Sequence, residues 1–171
     1  MPAPLLFLDV DGPLIPFGAA QPYPAYPPYD DMNPLLDRVN PAHGPRLAGL
    51  GCELVWATTW MDDANDCVSP RLGFADLPVV TWPDSTGDEP LDLHWKTPTI
   101  VHQAAARPFI WLDDEITNTD RDWVQAHHPA PVLLHKVDPT RGLTDADFAT
   151  LHQWLISEAV VCLVSKEVSS R

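Results

Sequence analysis

Residues 5–12 read LLFLDVDG, an apolar run that ends abruptly in two carboxylates and a glycine. Pro4 precedes the run, and a short apolar stretch with such boundaries is typical of a buried strand. The strand would deliver Asp9 and Asp11 to its carboxyl end, where open parallel sheets bind their ligands. Two like charges buried together are unfavourable unless a cation joins them. The pattern favours a divalent metal and an anionic substrate; for an isolated Asp-x-Asp, a solvated turn or a helix cap is the alternative.

Three further polar signals follow along the chain. Two of them close apolar runs that are typical of strands, and the third, Lys96, stands just ahead of a helix-like stretch. Lys96 is one of only three lysines, so its place at a helix start is informative. In chain order the set comprises Asp9-x-Asp11-Gly12, Thr58-Thr59, Lys96 and Asp113-Asp114.

The ordered set resembles the four motifs of the haloacid dehalogenase (HAD) superfamily of phosphatases and phosphotransferases. The resemblance extends over about residues 4–137. Together with the alternation of strands and helices, it implies an α/β fold, a three-layer Rossmann-like sandwich with a mostly parallel sheet of about five strands. Neither residues 12–51 nor residues 59–96 leave room for a separate cap domain, so a capless member with an open site is expected.

The resemblance implies roles in phosphoryl transfer for several of these side chains. Asp9 would attack phosphorus and form an aspartyl-phosphate, and Asp11 would protonate the leaving oxygen and then activate water. Thr58 would hydrogen-bond the phosphoryl group, assisted by backbone N–H groups near Thr59, and Thr59 itself is the alternative ligand. Lys96 would pair with Asp9 and with the phosphate. Dehalogenases of the superfamily lack an acid at the second position, so Asp11 indicates phosphoryl chemistry.

The same resemblance implies a Mg²⁺ site made of oxygen ligands, which suit this ion. The substrate-binding residues that the resemblance implies are Gly12, Thr58, Thr59 and Lys96. The metal ligands would be the Asp9 carboxylate, the backbone carbonyl of Asp11 and the Asp113 carboxylate, with Asp114 as a second direct or a water-mediated ligand.

The motifs predict a Mg²⁺-dependent phosphomonoester hydrolase and leave its substrate open. The leading interpretation is a small phosphorylated metabolite, for example a nucleotide. The first alternative is a phosphorylated nucleic-acid end, as in RNA or DNA repair, because an open site admits large substrates. The second alternative is a catalytically weak binding protein that retains the HAD fold.

The formal net charge is −14, with 24 acidic and 10 basic residues. Such a surface repels polyanions and lacks the basic footprint of a nucleic-acid-binding protein, so nucleic acid is not expected as a partner. An enzyme acting on nucleic acid would need its arginines gathered on one rim, and their spacing predicts no such stripe. The arginines in question are Arg38, Arg46, Arg71, Arg107 and Arg121.

The chain divides into a predicted catalytic domain, residues 1–158, and a C-terminal tail, residues 159–171. Residues 12–31 are rich in proline and tyrosine, so a loop is expected there that overhangs the site, with a loop remote from the substrate as the alternative. The apolar stretch 159–164 is too short to span a membrane, and it is expected to pack as a terminal strand or helix or to form a contact between two copies. No basic region precedes the first arginine, Arg38, and the three cysteines show no paired spacing, so a cytoplasmic protein is expected.

Proline and glycine mark several boundaries of the predicted elements. Asn40 and Pro41 open a helix that Gly51 closes. Residues 35–39 fit either a short strand or a turn of helix. The pattern predicts strands over 4–9, 52–58, 79–82 and 132–136 and one ending at Asp113, with helices over 41–50, 60–67, 97–106 and 119–127 and a last helix from Thr144.

Overall fold

The computed structural model describes residues 2–84 and 92–169, with side chains up to residue 158. The chain folds around a central sheet of four parallel strands. The strands are β1 (Leu5–Leu8), β2 (Glu53–Trp56), β3 (Phe109–Asp113) and β4 (Val132–Lys136). Their order across the sheet is β2-β1-β3-β4, so β1 lies between the two strands that lead to the threonine and aspartate motifs.

Helices cover both faces of the sheet, because successive side chains of a strand point to opposite sides. Leu6 and Leu8 pack against one helical layer, and Leu5 and Phe7 pack against the other. This two-sided burial is typical of parallel sheets and confirms the predicted three-layer α/β fold. The first layer holds α1 (His43–Ala48), a π-helical turn (Ala64–Val68) that runs into α2 (Ser69–Leu72), and α5 (Asp145–Ser169); the second holds α3 (Thr97–Ala104) and α4 (Asn118–His127).

The sheet has four strands rather than about five, because residues 79–82 do not form the predicted strand. Val79 makes one isolated bridge with Trp56. The Trp56 N–H donates to the Pro78 carbonyl and the Val80 N–H donates to the Trp56 carbonyl, each at 2.8 Å. Pro78 has no N–H with which to extend the ladder on one side, and on the other side the Thr58 carbonyl accepts from the Trp82 indole at 3.0 Å. Residues 79–82 have strand propensity, but their pairing is limited to this bridge.

The helices occur near the predicted places with shifted ends. Residues 35–38 belong to a 3₁₀ helix (Pro34–Arg38), which Val39 ends in an extended conformation. The predicted helix over 60–67 begins later and continues to Leu72. Thr144 caps α5 as expected, since its N–H and hydroxyl both donate to the Asp147 carboxylate at 2.7 and 2.6 Å. Sequence patterns locate helices well, but local hydrogen bonds decide where each one ends.

The last helix crosses the predicted domain boundary at residue 158 and continues to Ser169. The side chains of residues 159–171 lie outside the described part of the chain. The tail boundary and the contact between copies through residues 159–164 therefore stay predictions. Among the described residues, no helix combines the length and the apolar character needed to cross a membrane.

Candidate active site

The side chains of the predicted motifs meet at the carboxyl edge of the sheet. Asp9 directly follows β1, Asp113 is the last residue of β3, and Thr58 comes two residues after β2. Backbone hydrogen bonds keep the segments aligned: the Asp9 N–H donates to the Leu112 carbonyl at 3.0 Å, next to the strand ends. Parallel strands place their carboxyl ends side by side, which is why motifs distant in sequence become neighbours.

Lys96, at the start of α3, bridges two of these carboxylates. Its Nζ lies 2.8 Å from Asp9 Oδ2 and 2.8 Å from Asp113 Oδ2. The exposed fraction is 6% for Asp9, 2% for Lys96 and 0% for Asp113. Burial raises the pKa of Asp9 to about 7; the Lys96 ammonium opposes this rise, and Asp113 adds to it. Burial acts to lower the pKa of Lys96, but the two carboxylates outweigh burial and raise it, so Lys96 remains charged.

Three carboxylates lie close enough to hold one metal ion. Carboxylate oxygens of Asp9, Asp113 and Asp114 all lie within 4.8 Å of one another. The single positive charge of Lys96 balances only part of the charge of the three carboxylates. Burial raises the pKa of Asp114, and the neighbouring Asp113 raises it further. A divalent cation would remove the excess negative charge, and the all-oxygen set fits Mg²⁺. The carboxylate of Asp11 stands outside this metal cluster, so a contribution from Asp11 would come through its backbone carbonyl.

Gly12 leaves space for the Asp114 carboxylate. The φ angle of Gly12 is +85°, in the left-handed region that favours glycine. A Cβ at this position would lie 2.6 Å from Asp114 Cγ, which is closer than any real contact. The glycine of the first motif therefore shapes the metal cluster, and its predicted role in binding substrate stays a prediction.

Trp60 connects Asp11 with the threonine motif. Its indole Nε1 donates to Asp11 Oδ2 at 2.9 Å, and its backbone N–H donates to Thr58 Oγ1 at 3.2 Å. Thr58 is fully buried, whereas Thr59 is exposed. The Thr58 hydroxyl accepts from Trp60 and can still donate its own proton to another acceptor, so its contact with a phosphoryl oxygen stays a prediction. No spacing rule links an indole to a distant carboxylate, so sequence reasoning missed the role of Trp60.

A sequence profile described as the HAD domain in Swiss Army Knife RNA repair proteins matches residues 5–148. This match spans all four strands and every motif residue named above. The chain belongs to this HAD family. No curated protein and no solved structure shows significant similarity to it. Membership confirms the HAD resemblance and supports a phosphatase-type function.

Asp120 fixes the turn that carries Lys96 in this HAD domain. Its fully buried carboxylate accepts hydrogen bonds from the His94 N–H, the Thr97 hydroxyl, and the N–H and hydroxyl of Thr117, at 2.8, 2.6, 2.7 and 2.7 Å. Burial acts to raise the pKa of Asp120, but these hydrogen bonds outweigh it and lower the pKa. Sequence reasoning missed this residue, although the spacing Thr117-x-x-Asp120 resembles a capping box and was the available signal.

His94 completes this turn with both of its ring nitrogens. Nδ1 accepts from the Lys96 N–H at 3.1 Å, and Nε2 lies 3.1 Å from Glu115 Oε2. Because Nδ1 is an acceptor, the ring proton lies on Nε2 and is donated to Glu115. Donor atoms of His94, Asp113 and Glu115 also lie within 4.8 Å of one another. Both ring nitrogens already have protein partners, so the carboxylate cluster is the better metal site.

The proline- and tyrosine-rich loop of this HAD domain packs beside the first helical layer. Within the described residues, the hydrogen bonds of residues 17–31 do not reach the metal cluster. The predicted position of the loop over the site therefore stays a prediction. In this loop the Phe17 N–H donates to the Pro139 carbonyl and the Tyr26 N–H donates to the Asp37 carbonyl, both at 2.7 Å. The Pro28 carbonyl accepts from Arg71 Nη1 at 2.8 Å.

Proposed function

We propose that this HAD domain is a metal-dependent phosphomonoesterase with Asp9 as its nucleophile. The observation that carries the proposal is the buried bridge of Lys96 between Asp9 and Asp113. A buried carboxylate tends to take up a proton, whereas an ammonium at hydrogen-bond distance favours the anion that attacks phosphorus. The family match supports the same chemistry, because it covers all of these residues.

In the proposed reaction, the Asp9 carboxylate forms a bond to phosphorus while the bond from phosphorus to the leaving oxygen breaks. Asp11 gives a proton to the leaving oxygen and later takes one from the water that hydrolyses the aspartyl-phosphate. Thr58 donates its hydroxyl proton to a phosphoryl oxygen in a hydrogen bond. Mg²⁺ held by Asp9, Asp113 and Asp114 would supply charge stabilisation for the transferring group.

The Trp60 indole favours one oxygen of Asp11 as the carrier of the proton. An indole N–H only donates, and the carbonyl oxygen of a protonated carboxyl group accepts better than its hydroxyl oxygen, so the 2.9 Å bond to Asp11 Oδ2 favours a proton on Oδ1. The proton delivered to the leaving oxygen is then carried by Oδ1. Trp60 thereby orients the acid without taking part in bond making.

We expect Trp60→Phe to lower kcat/KM about tenfold or more on alkyl phosphates, whose leaving oxygens need a proton. The ring stays, but its hydrogen bond to Asp11 is lost. Aryl phosphates with acidic phenols leave without protonation, so on them the loss should be much smaller. The measurement is kcat/KM of both proteins on one substrate of each kind.

Trp82→Phe is the matched control for this comparison, because the Trp82 indole also donates at the site, to the Thr58 carbonyl at 3.0 Å. Any effect of that variant should be equal on alkyl and aryl phosphates. If Trp60→Phe also loses activity equally on both substrates, Trp60 does not orient the acid.

The surface of the described residues favours a small phosphorylated substrate. Arg46, Arg71 and Arg107 each pair with carboxylates, so their charge is locally neutralised. Arg107 also donates to the Ala3 carbonyl, ahead of β1 and at the edge opposite the site. These arginines do not share a rim at the carboxyl edge, and the net charge of −14 acts against a polyanion.

A phosphorylated RNA end is the second candidate substrate. It is favoured by the family match, whose description places such HAD domains in RNA repair proteins. The described residues also contain no second domain above the carboxylates, so a chain end could approach them.

We expect kcat/KM to be higher on mononucleotides than on RNA oligonucleotides phosphorylated at the 5′ or 3′ end. Activity on the small substrate should change little with salt. The measurement is kcat/KM on both substrates over a salt series. If kcat/KM on the oligonucleotide exceeds that on the mononucleotide at low salt and falls steeply as salt rises, the RNA end is the substrate. The slope of kcat/KM against salt reports the number of phosphate contacts.

A further inference from the structure

A small cavity of about 190 Å³ lies beside the turn that follows the first motif. The proline- and tyrosine-rich loop supplies one wall, including Tyr23 and Tyr26, and Arg38, His43 and Arg141 also line it. Among the described residues, no aspartate or glutamate lines this cavity, although the chain has 24 acidic residues. We call it the arginine cavity. Its charge is opposite to that of the chain as a whole, so its lining would attract an anion.

The two arginines of the cavity differ from Arg46, Arg71 and Arg107; among the described residues Arg121 also has no carboxylate within ion-pair distance, but it donates to the Leu134 carbonyl. Arg46, Arg71 and Arg107 form ion pairs with carboxylates, whereas no carboxylate oxygen lies within ion-pair distance of Arg38 or Arg141 among the described residues. Arg141 acts electrostatically on the Asp138 carboxylate, whose direct hydrogen bonds come from the N–H and hydroxyl of Thr140. An arginine without a carboxylate can offer its paired N–H groups to a phosphate.

Arg38 is already held in place for such a contact. Its Nη1 donates to the Pro16 carbonyl at 2.8 Å, and its guanidinium carbon lies 4.7 Å from the centre of the Tyr23 ring. A side chain fixed in this way loses less conformational entropy when it binds a ligand. His43 adds a further polar group, and its Nδ1 is buried without a hydrogen-bond partner among the described residues.

The arginine cavity and the metal cluster flank the same turn of the chain. Gly12 lies against Asp114 of the cluster, and the next residue, Pro13, lines the cavity. Leu143 also lines the cavity, and its N–H donates to the Pro13 carbonyl at 2.9 Å, which holds these two lining segments together. A ligand with two phosphate groups would therefore meet two separate anion sites at one end of the sheet.

We propose that the arginine cavity binds a second phosphate group of the substrate while the first lies at Asp9. The inference rests on the proposed phosphatase function and narrows its substrate class. The second phosphate belongs either to a small bisphosphorylated metabolite or to the backbone next to a nucleic-acid end. The volume suits one phosphate with part of a sugar, since pockets for larger ligands start at about 300 Å³.

The test compares a nucleoside monophosphate, the matched nucleoside 3′,5′-bisphosphate and a 5′-phosphorylated dinucleotide. Wild-type kcat/KM should be highest on the bisphosphate, in keeping with a small substrate; a highest value on the dinucleotide would assign the second phosphate to a nucleic-acid backbone. The variants are compared on whichever two-phosphate substrate is better. Arg141→Gln should lower kcat/KM on that substrate about tenfold or more and leave the monophosphate unchanged, because a charged hydrogen bond is lost. Arg38→Lys should act in the same direction, since lysine keeps the charge and loses the paired donors. Arg107→Gln, at the opposite edge, is the control for removing one charge.

Calorimetry tests the cavity independently of turnover. Asp9→Asn protein should bind the bisphosphate or the dinucleotide more tightly than the monophosphate, and Asp9→Asn/Arg141→Gln should lose this difference. If Arg141→Gln weakens the binding of the dinucleotide alone, the second phosphate belongs to a nucleic-acid backbone. If it weakens the binding of the bisphosphate, the second phosphate belongs to a small metabolite. Equal binding of all three ligands by both proteins overturns the proposal, even if the monophosphate is hydrolysed. An inactive wild-type protein that keeps the binding difference contradicts the phosphatase function alone.

Discussion

Asp9→Asn is expected to fold normally and to lose phosphatase activity by about a thousandfold or more. An amide has nearly the same shape as a carboxylate, but it does not attack phosphorus. The change also removes one of the buried like charges, and Lys96 keeps its 2.8 Å contact with Asp113. The melting temperature should therefore stay the same or rise. The measurements are kcat on an aryl phosphate and a thermal melt of both proteins.

Asp76→Asn is the matched control for the nucleophile, because Asp76 is exposed and lies away from the motifs. It should keep full activity. Retention of more than about a hundredth of the activity by Asp9→Asn would exclude Asp9 as nucleophile. An inactive wild-type protein would instead favour the binding-protein interpretation of the fold.

Removal of metal by a chelator should abolish activity, and Mg²⁺ should restore it. Asp113→Ala should lose nearly all activity at every Mg²⁺ concentration, because Asp113 is fully buried and holds both Lys96 and the Glu115 N–H at 2.8 and 2.9 Å. Asp114→Ala should mainly raise the Mg²⁺ concentration needed, since Asp114 is only half-buried. The measurement is activity over a Mg²⁺ series after chelation.

Asp122→Ala, an exposed acid on α4, controls for the loss of one negative charge and should behave like the wild-type protein. Circular dichroism checks that each variant is folded. Full activity in chelator would contradict the metal-dependent mechanism. A Mg²⁺ requirement that is unchanged in Asp114→Ala would remove Asp114 from the ligand set.

The fold and most of the site were predictable, because parallel strands convert sequence order into spatial proximity. Asp9 and Asp113 close apolar runs, so a parallel sheet places them at one edge without further information. Lys96 was recognised by its place before a helix. The contacts that orient these groups were not predictable in the same way. The spacing Thr117-x-x-Asp120 indicates a helix cap, but it does not show that Asp120 also reaches the turn of Lys96 from another helix. Trp60 reaches Asp11 through its side chain, a contact that has no local sequence signal.

The error in the sheet has a different origin. Residues 79–82 have the apolar, β-branched character of a strand, and propensity alone favoured one. Pairing also requires backbone donors and acceptors that face β2; Pro78 lacks its donor, and the Thr58 carbonyl accepts from the Trp82 indole. The arginine cavity was likewise invisible in sequence, because its members come from segments far apart along the chain.

Gly12 sets a boundary for protein engineering. Any side chain at this position would occupy the space of the Asp114 carboxylate and would also have to adopt a φ of +85°. A library aimed at new substrates should therefore leave Gly12 and the buried residues 13–16 unchanged and begin its randomised codons at Phe17. The loop from Phe17 onward offers many positions whose side chains are exposed, whereas a side chain at Gly12 would displace the Asp114 carboxylate.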